Sequence, residues 1–442
     1  MPDASPPENM SPELLKVAER AQREPGAKFH SLAYLIDVEL LARAYRRIRK
    51  GAAVGVDGIT KEQYGKELEK NLLDLYERMK AKRYRHQAIR RVHIPKGKGK
   101  TRPIGISALE DKVVQGAVRE VLEAIYEQDF LPCSYGFRPG RSAHDALRAL
   151  NQLVHCGKAN WILEADIQSF FDSVNRRQLM EMLQIRVADG SMHRLVGKCL
   201  HVGVLEGEEF SEPEIGTAQG SILSPLLGNI YLHYVLDVWF EHEAVPRLKG
   251  RATLVRYADD FVIAFEYRED AERVMAVLGR RMEKFGLSLN PTKTRLVPFG
   301  RPPRSYGRTK GAATIDFLGF TLYWRRARWG GWRVTCKTRS ARLTRAIQSV
   351  YDWCRSHRHL SIKAQHSALA SRLRGHFNYF GVNGNIRSLV VLWRKTQMAW
   401  LKWLNRCSQR KRFNWERFAD LQRDSPLPRP RITVQLWAVR KA

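Results

Sequence analysis

Asp259 and Asp260 stand side by side in the stretch Val255-Arg256-Tyr257-Ala258-Asp259-Asp260-Phe261-Val262-Ile263, between strand-forming apolar runs at 254–257 and 261–265. The middle, Ala258-Asp259-Asp260, suits a hairpin turn. Two adjacent carboxylates repel each other, and nothing close in sequence neutralises both. Such a turn is either simply solvated or it holds a divalent cation. Asp166 is a third acid of the same kind, near the end of the strand-like run 160–167. A carboxylate on an apolar strand is costly if buried alone, so it needs a cation, a metal or exposure. Two acids from a hairpin and one from a neighbouring strand could hold two Mg²⁺ ions roughly 3.5–4 Å apart, activating a 3′ hydroxyl against a phosphate and neutralising the leaving pyrophosphate.

The elements around these acids follow from pattern. Residues 90–95 and 101–106 read as two strands joined by Lys96-Gly97-Lys98-Gly99-Lys100, with Arg102 just beyond. That tip is either a soluble turn or a flexible basic flap for a triphosphate, with Lys96 and Arg102 as anchors. Helical spacing of apolar residues predicts helices over 12–23, 37–50, 108–130 and 270–285. The Gly51 to Gly58 loop is either a connector or a place of close approach. Arg138 and Arg141 flank Pro139-Gly140 before Ser142, which is expected to cap the next helix; phosphate contact and a structural turn are equally open there. Gln219 precedes a helix start at which Ser224 is the expected N-cap and Pro225 the first-turn proline, so a base or sugar could dock at its mouth. Lys293 follows the 270–285 helix as a phosphate or general-acid partner, or as an ordinary surface lysine. An extended pair is expected over 315–323.

Composition narrows the partners. The 442 residues carry 76 Lys and Arg against 45 Asp and Glu, a net +31, which points first to nucleic acid and second to an anionic membrane. Residues 301–442 alone hold 31 Lys and Arg against 5 Asp and Glu, together with nine of the eleven Trp. Basic and aromatic residues in one region suit phosphate neutralisation and base stacking. No apolar run approaches the roughly 18 residues of a membrane span, and the Pro-rich, acidic start does not look like a signal peptide. The six cysteines show no paired zinc or redox spacing. Cys354, His357 and His359 read as a basic helix end rather than a metal site, and a reducing cytoplasm is the expected compartment.

Taken together, these segments resemble the reverse-transcriptase superfamily, most closely the group II intron-encoded reverse transcriptases or maturases, over about residues 35–425. Tyr257-Ala258-Asp259-Asp260 matches the signature tetrad and Asp166-Ile167-Gln168-Ser169-Phe170-Phe171-Asp172 the first catalytic block. Val54 to Gly58, Arg102 to Ile106, Tyr135 to Leu147, Gln219-Gly220-Ser221 with Ser224-Pro225-Leu226-Leu227, and Phe317-Leu318-Gly319-Phe320 follow in family order. The resemblance implies an α+β right-hand polymerase. Its parts would be a flexible segment at 1–28, fingers at 29–160, a palm at 161–310 whose antiparallel sheet carries the acids, a helical thumb or domain X at 311–425, and a basic tail at 426–442.

It also implies roles. Asp166 and Asp259 would hold two Mg²⁺ ions, for which Mn²⁺ could substitute, with Asp260 in support and Ile167 in the metal set. Lys96 and Arg102 would grip the triphosphate, Gln219 would lie under the nucleotide, and Phe171, beside Phe170, would exclude a ribose 2′ hydroxyl. Lys293 falls in the block tied to protonating pyrophosphate. Arg138, Arg141, Arg325, Arg326, Arg372, Arg374 and Lys402 are the expected nucleic-acid contacts. The stripes Leu369, Leu373, Phe377, Phe380 and Leu389, Leu392, Trp393, Trp400, Trp403, Leu404 read as core rather than base platforms.

The implied function is an RNA-dependent DNA polymerase acting on deoxynucleoside triphosphates. Its implied partners are intron RNA, an RNA template with a DNA primer, and, as a ribonucleoprotein, a DNA target. A bacterial cytoplasm is the expected location, with nucleoid association during action on DNA. A splicing-only RNA-binding protein would be expected to have lost its acids, and all three remain. A domesticated CRISPR- or defence-linked enzyme would share the chemistry. Ala218 and Ser221 stand where Pro and Gly are frequent in the family. No Cys-paired endonuclease pattern follows the thumb, so independent DNA cleavage is not expected.

Overall fold

The computed structural model describes residues 10–97, 100–156, 158–206, 209–211, 220–303, 313–327, 330–406 and 414–436. Among them the strands are β1 (Ile89–Gly97), β2 (Lys100–Ile106), β3 (Trp161–Asp166), β4 (Val204–Glu206), β5 (Glu209–Ser211), β6 (Ala252–Tyr257), β7 (Asp260–Phe265), β8 (Arg295–Pro298), β9 (Ile315–Phe317), β10 (Phe320–Arg326) and β11 (Trp332–Thr338). They form three sheets among the described residues, ordered β2-β1-β4-β5, β6-β7-β3-β8 and β11-β10-β9. Helices surround them, so the mixed helix and sheet class expected from the sequence is what the chain adopts.

The middle sheet carries the acids, and its sequence shows why it is buried on both faces. Along β7, Phe261, Ile263 and Phe265 enter one core while Val262 and Ala264 enter another, the period-two alternation of a pleated strand. The first core joins them to Leu163, Ala165 and Leu254, the helix Leu109–Asp129 and the helix Arg268–Lys284. The second joins Ile162 and Val255 to Ala146, Leu147 and Leu150 of the helix Ala143–Cys156, and to Ile315, Phe320 and Val334 of β9 to β11. A sheet covered on both faces needs apolar residues at both parities, which produces the near-continuous apolar runs.

A third core lies within the C-terminal helices Ser340–Ser356, Ile362–Phe380 and Ile386–Leu404. Leu369, Leu373, Phe377, Leu389, Leu392, Trp400, Trp403 and Leu404 are buried there, with Trp393 and Phe380 packed beside them. Trp400 is fully buried and donates its indole N–H to Gln365 Oε1 at 2.9 Å. The β9 to β11 sheet shares one core with the acid sheet and also meets these helices, where the Phe320 ring packs on Tyr379 and Phe380.

Helix boundaries shift by small amounts with identifiable causes. The helix expected over 37–50 is Val38–Arg47, started by Asp37, whose side chain accepts from the Leu40 amide. Ser142 does cap its helix: Asp145 N–H reaches Ser142 Oγ at 3.3 Å, and Asp145 Oδ2 in return accepts from the Ser142 amide at 2.8 Å. Ser224 does not cap. Leu223 holds that position and Ser224 is already helical in Ser224–Leu232, with Pro225 in the first turn as expected. The helix then widens into a π turn at His233–Asp237, which the apolar pattern did not foretell.

Candidate active site

Antiparallel pairing of β3 with β7 places Asp166 directly opposite Asp260, and pairing of β6 with β7 closes Tyr257 on Asp260. Opposed residues in such a ladder share a face, with Cα atoms roughly 4.5–5.5 Å apart. Asp260 thus belongs to a strand, and the turn is Ala258-Asp259. Ala258 has φ 55°, a left-handed conformation that L-residues adopt at a cost, and it is buried. Gly136 makes the close approach to this turn possible, because a Cβ there would lie 2.4 Å from the Ala258 nitrogen.

Asp166 is anchored from the other side. Its Oδ2 accepts from Lys293 Nζ at 2.7 Å and from Asn290 Nδ2 at 3.4 Å, while its carbonyl accepts from the Asn290 amide at 2.8 Å. Ile167 bridges Leu289 through the bonds of its neighbours, Gln168 N–H to Ser288 O and Asn290 N–H to Asp166 O. In that geometry Ile167's own carbonyl turns away from Leu289, toward the β7 side where the acids lie.

The three acids weigh on one another. Asp260 retains solvent contact, yet the surrounding walls strip much of its hydration. That loss, followed by the charges of Asp259 and Asp166, pushes its carboxyl up to about 6. Asp259 is raised first by the same loss of hydration, with Asp166 adding to it and Arg102 and Lys293 opposing. Such a concentration of acid calls for cations, and Lys293 supplies one. Among the described residues no group of three or more acid, histidine or cysteine side chains is placed to hold one ion. The donors are oxygens from two strands and a turn, a hard set that suits Mg²⁺ or Mn²⁺.

Asp259 and Asp260 open onto a cleft of about 780 Å³. Arg102, exposed on β2, lines one wall with Phe171 and Ser221. Phe170 is buried beneath Phe171, their rings edge-to-face at 5.1 Å. Gly228 leaves them room, since a Cβ there would meet Phe170 at 2.9 Å. Of the residues expected at the site, Arg102, Phe171, Asp259 and Asp260 line the cleft, Phe170 packs against Phe171, and Asp166, followed by Ile167, stands opposite Asp260 with Lys293 bonded to it. The side chains of Lys96 and Gln219 lie outside the described residues.

The expected nucleic-acid contacts divide. Arg325, Arg326, Arg372, Arg374 and Lys402 are exposed, although Lys402 also donates to Tyr351 Oη at 2.7 Å and Arg372 lies over the Trp353 ring. Arg138 is a correction. It is buried, pairs with Glu127 at 2.9 Å, and donates to the carbonyls of Leu131 and Ser134. Arg141 is partly spent in the same way, on the Pro132 carbonyl at 2.8 Å. Both hold the loop that carries Gly136.

Other cleft residues were not foreseen. The far wall is Arg342, Arg345, His376, Tyr379 and Phe380 from the C-terminal helices. Burial against Phe380 pushes His376 down to about 4, so it is neutral near pH 7. Phe137, at φ 58° and half exposed, flanks Tyr257 with ring centroids 6.2 Å apart. Arg256, fully buried, was read only as strand; a charged residue inside so apolar a run must have a partner, and that was the available signal.

The chain is similar in sequence to several known proteins. The family model described as reverse transcriptase (RNA-dependent DNA polymerase) matches residues 94–322. Protein YkfC of Escherichia coli (strain K12) is 35% identical over 356 residues, covering 72% of this chain and 90% of that protein. The group II intron-encoded protein LtrA of Lactococcus lactis subsp. cremoris is 27% identical over 461 residues, covering 85% of this chain and 74% of LtrA. An uncharacterized 91 kDa protein in the cob intron of Schizosaccharomyces pombe is 28% identical over 321 residues, covering 60% of this chain and 39% of that protein. With half the chain under the family model and most of it aligned to intron-encoded relatives, this protein belongs to the reverse transcriptases, RNA-directed DNA polymerases, and within them to the group II intron-encoded reverse transcriptase/maturase family.

Proposed function

We infer that this chain binds structured intron RNA, assists its splicing, and copies RNA into DNA from deoxynucleoside triphosphates, acting on a DNA target as a ribonucleoprotein. The observation that carries the polymerase reading is the register match of Asp166 with Asp260, with Asp259 on the adjoining turn, at the foot of a cleft that Arg102 and Phe171 also line. In this reading the β1–β2 hairpin belongs to the fingers, the acid sheet to the palm, and the helices from Ser340 onward to the thumb.

Asp166, Asp259 and the Ile167 carbonyl are the groups suited to hold two Mg²⁺ ions, with Asp260 beside them. Bound there, the ions would lower the pKa of a primer 3′ hydroxyl and neutralise charge on the triphosphate. The chain's own residues supply the remainder. Arg102 draws the phosphates in from the flap side by charge-assisted hydrogen bonds. Phe171 occupies the space that a ribose 2′ hydroxyl would need. Lys293 holds a proton at Nζ beside Asp166, available to the departing pyrophosphate. Arg325, Arg326, Arg372, Arg374 and Lys402, in a region with few acids, offer RNA a largely sequence-independent phosphate surface. The test is Mg²⁺-dependent extension of a DNA primer on an RNA template, compared between the wild-type chain and Asp259→Ala.

A further inference from the structure

Arg256 lies on β6 two residues before the catalytic turn's Ala258 and has no accessible surface. A buried guanidinium is tolerable only when its donors are paired. All five are. Nε donates to Asp237 Oδ1 at 2.7 Å, and Nη2 to Asp237 Oδ2 at 2.5 Å and Ser134 Oγ at 2.8 Å. Nη1 donates to Asn229 Oδ1 at 2.9 Å and to the Ala258 carbonyl at 3.2 Å.

The partners come from the loop at Ser134, the continuous helical run that carries Asn229 and Asp237, and the turn at Ala258, and two of these segments are irregular in a way that serves the contact. Asp237, also fully buried, closes the π turn His233–Asp237. A π turn rotates the following side chain relative to a regular helix, and single π turns cluster at functional sites. Asn229 uses its other end, Nδ2, to donate to the Gly136 carbonyl at 2.7 Å, and Gly136 is the residue seated on the Ala258 nitrogen. The main chain of Arg256 is fixed as well, its N–H to the Cys133 carbonyl and its carbonyl to the Tyr135 N–H, both at 2.8 Å.

The fifth bond separates this network from an ordinary core tie. It ends on the carbonyl of Ala258, whose left-handed backbone sets the exit direction of Asp259. A residue in a sparsely allowed conformation persists only when its surroundings over-determine it. We propose that Arg256, oriented by Asp237, is a positioning residue for polymerisation: it clamps the Ala258 carbonyl so that Asp259 is aimed for its catalytic task. The proposal rests on the reading of Asp259 as a catalytic acid.

Replacing a buried ion pair by apolar residues of similar volume often leaves stability intact or raises it. This permits a clean test in the full-length chain with the double variant Arg256→Met, Asp237→Leu. Melting temperature, primer–template affinity and nucleotide KM should stay close to wild type. The maximal extension rate should fall at least tenfold. Mn²⁺ binding, read by electron paramagnetic resonance with primer–template and a non-hydrolysable nucleotide present, should weaken at least fivefold. Unchanged rate and unchanged Mn²⁺ binding in a folded variant would overturn the proposal. If the double variant melts early, Arg256→Lys keeps the buried charge against Asp237 but lacks the fork, and the same two losses are expected of it. A wild-type chain that binds Mn²⁺ yet never extends the primer would overturn the polymerase reading instead, while the Mn²⁺ comparison would still decide the role of Arg256.

Discussion

Lys293 places its ammonium 2.7 Å from Asp166 Oδ2, so one of the three acids already has a counter-cation from its own chain. The charge of Lys293 also draws the carboxyls of Asp259 and Asp260 downward. Because Asp260 is nevertheless raised to about 6, it is ionised at pH 7.5 and takes up a proton as pH falls through that value. Extension at limiting Mg²⁺ should therefore decline on the acid side of about 6, and more Mg²⁺ should move the decline to lower pH, since proton and cation compete. Lys293→Ala should move it to higher pH. A rate–pH series at two Mg²⁺ concentrations checks all three, and a limb that Lys293→Ala leaves in place would contradict the electrostatic account.

Phe171 stands over the buried Phe170 and borders the cleft within reach of the acids. Shortening it to alanine should open the space for a ribose 2′ hydroxyl. Ribonucleotide incorporation relative to deoxyribonucleotide incorporation should rise roughly tenfold or more, the scale of a discrimination worth at least about 1.4 kcal/mol. Competition assays with one ribonucleotide and its deoxy counterpart measure the ratio; an unchanged ratio removes the gate role.

Gly136 has no space for a side chain, because the obstacle is main chain rather than a movable rotamer. Gly136→Ala should displace the Ala258-Asp259 turn and lower the extension rate by about an order of magnitude. RNA affinity, which the proposed function assigns to the exposed basic residues of the C-terminal region, should change little. Equal losses in both would mean that the substitution unfolds the chain instead of shifting the turn.

Much of this site was legible in sequence because its chemistry is local. Asp259 and Asp260 interrupt apolar strands and Asp166 ends one, so residue type and neighbours carried the inference, whereas the role expected of Phe171 came from the family resemblance. What was not legible depends on distance in the chain. Arg256 meets Ser134 across 122 positions, and no periodicity reveals such a contact. Arg138 read as a surface arginine because Pro139 and Gly140 follow it; its burial depends on Glu127, which the preceding helix happens to aim at it. Ser224 lost the cap because the helix begins one residue earlier than its composition suggests. That β9 to β11 share a core with the acid sheet was likewise not legible, because they sit beside the C-terminal helices in sequence.

The net charge of +31 gives a prediction about binding rather than chemistry. If the basic C-terminal region neutralises six to ten phosphates, affinity for RNA should fall on the order of 10³–10⁵ between 50 and 200 mM salt. Filter binding or fluorescence anisotropy across that range reads the slope. A flat response would show that these cations are not spent on phosphates.

The most direct measurement is Mg²⁺-dependent extension of a DNA primer on an RNA template by Asp259→Ala beside the wild-type chain. The wild type should extend and the variant should not, with affinity for RNA nearly the same in both. Undiminished synthesis by Asp259→Ala would contradict the claim that the acids at the foot of the cleft catalyse nucleotidyl transfer.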